Sequence, residues 1–113
     1  MILQQTDNFI KSCMKAWLLC QSCIHTEIIS TRPKRTLIAK CRICSSSCFA
    51  LVGRLISSAD DIQEYAFRCV LDCRECFEEC EKYAYIEDIQ YCGEVCMDCA
   101  DTLRTLVIVS NLN

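Results

Sequence analysis

Thirteen cysteines are the residues of this 113-residue sequence whose chemistry is most distinctive. Most stand three or four positions from another cysteine, and on a helix both spacings put two sulfurs on one face about a turn apart. Thiolates bind soft metal ions and are also the nucleophiles of thiol redox enzymes. Because thirteen is odd, they cannot all pair as disulfides within one chain. The candidate metal ligands are Cys13, Cys20, Cys23, Cys41, Cys44, Cys48, Cys69, Cys73, Cys76, Cys80, Cys92, Cys96 and Cys99.

The elements that carry these cysteines are predicted to be long helices. The sequence has only 2 Gly and 1 Pro, whereas disulfide scaffolds and loop-built zinc knuckles are usually rich in turns. Pro33 suits the first position of a second helix, and Ser58 suits the N-cap of a third. The hydrophobic period slips near Tyr83 and Tyr85, which indicates a third chain reversal. We therefore predict one domain, 1–113, that is all-α: an antiparallel up-down-up-down four-helix bundle with helices at about 4–29, 33–57, 59–82 and 86–110.

Each predicted helix has one inward stripe at alternating steps of three and four residues, and all thirteen cysteines fall on these stripes. The stripes are Phe9, Cys13, Ala16, Cys20 and Cys23; Leu37, Cys41, Cys44, Cys48, Leu51 and Leu55; Ile62, Ala66, Cys69, Cys73, Cys76, Cys80 and Tyr83; and Tyr85, Ile89, Cys92, Cys96, Cys99, Leu103 and Leu106. A core of thiols in place of leucines gives up apolar burial, at about 25 cal/mol per Å². We expect such a core to be weak unless a ligand fills it.

The antiparallel arrangement predicts layers of thiols. The loops near residues 31 and 84 share one end of the bundle, which we call the mouth, and Cys80 is expected nearest to it. The expected layers, from the mouth inward, are Cys23, Cys41, Cys76 and Cys92; then Cys20, Cys44, Cys73 and Cys96; then Cys48, Cys69 and Cys99; then Cys13. The other end is expected to be closed by Phe9, Leu51, Leu55, Ile56, Ile62, Leu103 and Leu106.

The choice of metal follows from ligand chemistry. Cu(I) is soft and accepts thiolates at low coordination number, so bridging thiolates could hold roughly one ion per Cys. Structural zinc requires four ligands around a tetrahedron, and iron–sulfur clusters require loop spacings that are not found here. The sequence favours a store or buffer of multiple Cu(I) ions, with zinc or general heavy-metal sequestration as the alternative. A copper chaperone or a small thiol is the expected donor.

Other function classes fit the sequence less well. A redox CxxC usually follows a strand and exposes one sulfur, so we expect no enzyme; a structural or partner-binding bundle is a further alternative. The net charge of −3, without a basic patch, disfavours nucleic acid, and no apolar run approaches the roughly 18 residues of a membrane span. The start of the chain has no signal-peptide pattern, so we expect a cytoplasmic protein, or an exported one if a leader has been removed.

Two segments, 69–82 (CVLDCRECFEECEK) and 91–101 (YCGEVCMDCAD), resemble the bacterial copper storage proteins. The resemblance covers the whole chain and is strongest over 65–101. It implies Cu(I) storage by thiolates inside a Cys-rich four-helix bundle, and often a homo-oligomer, a tetramer. Exported members carry a twin-arginine leader, cytosolic members tend to have more cysteines, and members often place His between the third and fourth helices, where this chain reads Lys82-Tyr83-Ala84-Tyr85.

A few further side chains are assigned by position. His25, the only histidine, lies close to the mouth and is added as a candidate ligand that could pass copper to the first thiols. Tyr83 and Tyr85 are expected to cap the mouth. Gly93, in mid-helix, could permit a close helix approach. Four side chains are expected to look outward from the stripes, between helices or between bundles: Trp17, Leu18, Phe49 and Phe67.

Overall fold

The structure, a computed structural model, describes residues 3–112 and the side chains of 5–107. Its helices are α1 (Leu3–Ile28), α2 (Arg35–Ser57), α3 (Ile62–Glu81) and α4 (Glu87–Leu112), and residues 3–112 contain no strand. Each helix contacts two neighbours, in the cyclic order α1, α2, α3, α4, and no diagonal pair is in contact among the described residues. The predicted antiparallel up-down-up-down four-helix bundle is confirmed, with a long axis of 47 Å.

The predicted stripes form most of the core. Twelve of the thirteen cysteines are at most 1% exposed, and the α2 stripe is buried throughout. The end away from the mouth is closed by Phe9, Leu51, Leu55, Leu103 and Leu106, with Ile62 packed partly against them. Ile56, expected in this plug, is 70% exposed. It follows the buried Leu55 directly, and a step of one residue turns a helical side chain about 100° away from the core.

Two helix starts differ from the prediction. Pro33 lies before the N-cap Lys34, whose backbone is extended and whose N–H donates to the Glu27 carboxylate at 3.0 Å, so α2 begins only at Arg35. Ser58 does not cap the start of α3. It ends α2 in a left-handed conformation (φ 54°), with the Ala59 N–H bonded to the Arg54 carbonyl at 3.1 Å. Because Ser58 and Ala59 take part in ending α2, α3 begins only at Ile62.

The connection between α3 and α4 lies at the mouth, as does the loop that joins α1 to α2. Residues 82–86 are turns, and Tyr83 packs partly against the core with its ring 5.4 Å from the Lys34 ammonium. Tyr85 is 81% exposed, which corrects its placement on the inward stripe of α4 and as a cap. The fourth stripe begins at Ile89 because α4 itself begins only at Glu87.

By length and composition, α2 is apolar enough to cross a membrane, with a mean hydropathy of 1.3. A core helix passes the same test, and α2 buries eight residues against its neighbours. The bundle core therefore accounts for part of the apolar character of α2, whereas Ile43, Phe49 and Ile56 are apolar and exposed.

We expect Gly93→Ala to destabilise the reduced apo-protein relative to Gly53→Ala by about 1–3 kcal/mol, because a Cβ at position 93 would lie 2.7 Å from the Cβ of Cys80 and overpack the α3–α4 contact. Gly53 is the matched control: it is also in mid-helix, and a Cβ there meets nothing within 4 Å. Gly53→Ala should therefore gain about 0.5–1 kcal/mol of helix stability. Urea unfolding measures both, and equal effects would contradict the close approach at Gly93.

Replacing Ser58 by Gly is expected to raise the free energy of unfolding by about 0.5–1 kcal/mol, because glycine adopts the left-handed conformation without the Cβ clash. The control is Ser57→Gly, one residue earlier in the last helical turn of α2, which should be destabilising by about 0.5–1 kcal/mol. The comparison uses the same urea unfolding. A loss of stability in Ser58→Gly would rule out the helix-ending role of this residue.

Candidate metal centre

The four helices bring ten of the cysteines into three groups, in each of which the Sγ atoms lie within 4.8 Å of one another. The first two groups take one thiol from every helix and share Cys20 and Cys76. The third takes its thiols from α2, α3 and α4. All members are buried, and all thirteen cysteines are free thiols. The groups are Cys20, Cys44, Cys76 and Cys96; Cys20, Cys41, Cys76 and Cys92; and Cys48, Cys69, Cys73 and Cys99.

The groups are joined by a continuous path of sulfur contacts, which we call the thiol ladder. Eight sulfurs follow one another at 3.5–3.9 Å, a distance at which neighbouring thiols can share a hydrogen bond. In order, the contacts are Cys69–Cys48 at 3.6 Å, Cys48–Cys73 at 3.8 Å, Cys73–Cys44 at 3.5 Å, Cys44–Cys96 at 3.8 Å, Cys96–Cys20 at 3.6 Å, Cys20–Cys76 at 3.9 Å and Cys76–Cys41 at 3.8 Å.

The groups differ in register from the predicted layers. Cys76 belongs to both of the groups that contain Cys20. Cys73, which was expected beside Cys20, belongs instead to the third group and contacts Cys44 of the first. Counting residues from a loop assumes that every helix starts at the same height, and the turns at 82–86 break that assumption. The layers are therefore continuous with one another, because α3 supplies thiols at intermediate heights.

Cys23 is less buried than its position on the predicted α1 stripe implied, although its thiol interacts with those of Cys41 and Cys92, with which the sequence grouped it. It is only partly buried, and the buried positions after Cys20 are Ile24 and Glu27. The stripe takes a step of four after Cys20, and this step turns Cys23 toward the flank of the bundle. The same stepping would have identified Glu27, a 5% exposed carboxylate, as a core-facing residue that sequence reasoning missed.

The sulfur spacing suits metal ions of more than one coordination number. A tetrahedral site with Zn–S bonds of about 2.3 Å has sulfurs about 3.8 Å apart, and a linear site with the same bond length has them about 4.6 Å apart. Ladder contacts of 3.5–3.9 Å match the first, and the 4.8 Å limit of each group accommodates the second. These groups could hold metal ions by either geometry, with little movement of the helices.

The crowded thiols perturb one another. Interactions with Cys13, Cys48 and Cys73 lower the pKa of Cys69 to about 6, because hydrogen bonds to its thiolate stabilise the charge. Interactions with Cys13 and Cys44, and burial, raise the pKa of Cys48. Metal ions that bind to the protonated thiols of the ladder must displace protons.

The remaining candidate ligand lies apart from the groups. His25 is exposed in the last turn of α1 and belongs to none of the three groups found among the described residues. Its role in passing copper stays a prediction. Met14 and Met97 are partly buried and pack against the core, as their offset from the stripes suggests.

The exposure of the cysteines predicts that one thiol reacts much faster than the others. In the folded, reduced apo-protein, Cys23 should react with a chromogenic disulfide reagent at least about tenfold faster than the twelve buried thiols, because reaction requires access to the sulfur. Stopped-flow absorbance measures the phases. Cys23→Ser should abolish the fast phase, whereas Cys99→Ser, which removes a fully buried thiol, should leave it intact. A fast phase of several thiols would contradict the buried ladder.

Comparison with known proteins agrees with this arrangement. A family model described as copper storage protein matches residues 2–108, which is nearly the whole chain. No curated protein and no solved structure matches the chain. The match spans all four helices and every cysteine of the three groups, and buried thiols of this kind are compatible with metal binding. The chain belongs to the copper storage protein family.

Proposed function

We propose that the protein stores or buffers multiple Cu(I) ions, held inside the bundle by its thirteen cysteine thiolates at roughly one ion per Cys. The thiol ladder carries the proposal. Its eight sulfurs form an unbroken path along the bundle, so each thiolate inside the path stands between two neighbours and can bridge two ions. Soft thiolates select Cu(I), and bridging lets the number of ions approach the number of sulfurs.

Sharing of ligands favours Cu(I) over zinc. The three groups contain ten different cysteines, because Cys20 and Cys76 each belong to two of them. Separate tetrahedral zinc ions therefore cannot fill the first two groups at once, and four unshared thiolates each would limit zinc to about two ions in these groups. Zinc or general heavy-metal sequestration is the second candidate, since each group alone has the four thiols that a zinc ion requires.

The same proposal includes a non-enzymatic, cytoplasmic protein that acts as a homo-oligomer. Storage requires ligand exchange and no turnover of substrate, so we assign no catalytic residue. Exposed apolar side chains on α1 and α2 offer a surface for assembly: Leu18 is 58% exposed, and Phe49 packs on Trp17 with ring centroids 6.2 Å apart. Copper would come from a chaperone or a small thiol.

The proposal predicts a large capacity for Cu(I). Anaerobic titration of the reduced protein against a chromogenic Cu(I) chelator should give about one tight ion per Cys, and parallel titration with Zn(II) should give about two or three. Metal analysis after gel filtration provides the count independently. Saturation of the protein at one or two Cu(I) ions would contradict the storage function. An equal capacity for Zn(II) would favour general metal sequestration.

The shared thiols provide a sharper prediction about bridging. The double variant Cys20→Ser/Cys76→Ser should lose more tightly held Cu(I) than the matched double variant Cys13→Ser/Cys23→Ser, although each lacks two thiols. The first pair belongs to two groups at once, whereas the second pair lies outside all three. Competition with the chelator measures the loss for both variants. Equal losses would show that Cys20 and Cys76 do not bridge.

A further inference from the structure

Cys23 lies in a groove between α1 and α4, and it is the only one of the thirteen thiols that is not fully buried. The groove encloses a cavity of about 220 Å³ on the flank of the bundle, near the mouth. Its walls are Leu19, Ser22, Cys23, Thr26 and Glu27 from α1, and Ile86, Asp88, Ile89 and Tyr91 from the start of α4. A soluble copper complex that approaches the bundle therefore meets the thiol of Cys23 first.

The mouth offers no exposed thiol. Cys80, nearest to that end, is 1% exposed. The Lys34 ammonium lies 3.4 Å from the Glu27 carboxylate and 5.4 Å from the ring of Tyr83, which packs partly against the core. Lys34 therefore links the two loops across the mouth.

The groove leads inward to the ladder. The Cys23 thiol interacts with the thiols of Cys41 and Cys92, and both belong to the group that also contains Cys20 and Cys76. The α1–α4 contact is the least extensive of the four helix–helix contacts. A small widening of this seam, without loss of the other three contacts, would let a metal ion pass from Cys23 to its neighbours.

The size and chemistry of the groove indicate the donor. Small-molecule pockets commonly have about 300–1,000 Å³, so this smaller cavity admits one short side chain or a small thiol rather than the surface of a folded protein. Ser22 and Thr26 supply hydroxyl groups, and Leu19 and Ile89 an apolar wall. The Glu27 carboxylate is paired with Lys34, which leaves Asp88 as the charge that would favour a donor with an ammonium group.

We propose that Cys23 is the acceptor at which the protein takes Cu(I) from a small aminothiol complex, through the α1–α4 groove rather than through the mouth. In this exchange a bond between Cu(I) and the donor thiolate breaks as a bond to the Cys23 sulfur forms. The proton of the Cys23 thiol passes to the departing thiolate, and copper remains Cu(I) throughout. The ion then moves to the sulfur of Cys41 or Cys92, whose proton passes to the Cys23 sulfur and regenerates its thiol. This inference rests on the proposed storage function.

The test is the rate of loading under anaerobic conditions. The reduced protein is mixed with a limiting amount of the Cu(I)–cysteamine complex, and the luminescence of the Cu(I)–thiolate core is followed by stopped flow. We expect Cys23→Ser to load at least about tenfold more slowly, with a final capacity lower by about one ion at most. Thr26→Trp keeps every thiol and fills the groove, and it should be slowed to a similar extent.

Two variants that keep every thiol serve as controls for the loading rate. Thr102→Trp places the same bulky residue at an exposed position of α4 outside the groove, and Tyr83→Ala uncovers the mouth. Both should load within about twofold of the native rate. Helical circular dichroism verifies the fold of each variant.

Two outcomes would overturn the inference: native loading rates in both Cys23→Ser and Thr26→Trp, or a restored native rate when Tyr83→Ala is added to Cys23→Ser. In either case copper would travel by another route. A native protein that saturates at one or two Cu(I) ions instead contradicts the storage function itself, so the two failures are distinguishable.

Discussion

Contact between buried sulfurs is the interaction on which the rest of this structure depends. A cysteine side chain is short, so sulfurs from neighbouring helices come within 4 Å only if the helix axes are close. The bundle achieves this with small residues beside the thiols. Ala16, Ala66 and Ala100 are fully buried, and Gly93 allows the backbone of α4 to approach Cys80. The small residues therefore permit the close helix packing that the contacts between sulfurs require.

This core divides the molecule into two parts with different physical tasks. Leucines and Phe9 close the end away from the mouth, where apolar burial contributes about 25 cal/mol per Å². The cysteine-lined part buries less apolar surface per residue, and its polarised thiols interact mainly with one another. Metal–thiolate bonds would add the stabilisation that this part lacks, because a ligand that binds only the folded state shifts the folding equilibrium toward it. Apolar burial at the leucine end stabilises the fold, whereas bound metal would stabilise the cysteine-lined end.

The sequence predicted what depends on helical period and missed what depends on local turns. Twelve cysteines and the leucine plug follow from steps of three and four residues, and these positions are buried as expected. Ile56 was misplaced because it directly follows the buried Leu55. Cys23, next to the buried Ile24, keeps its predicted neighbours Cys41 and Cys92 but is only partly buried. The left-handed Ser58 and the turns at 82–86 shift helix starts and heights, and no pattern of residue types specifies such backbone angles in advance. The choice of partners within each group depends on those heights.

Placement on rigid helices also explains how so many thiols can remain thiols. Cysteines three or four residues apart on a helix have Cβ atoms about 5–6 Å apart, whereas a disulfide requires about 3.5–4.5 Å. The CxxC and CxxxC pairs of one helix therefore cannot oxidise to disulfides without distorting that helix. A helix thus separates neighbouring sulfurs too widely for a covalent bond to each other, yet keeps them near enough to share a metal ion. Among the described helices, this spacing recurs along all four, so the geometry that opposes disulfides is the one that arranges ligands for a soft metal.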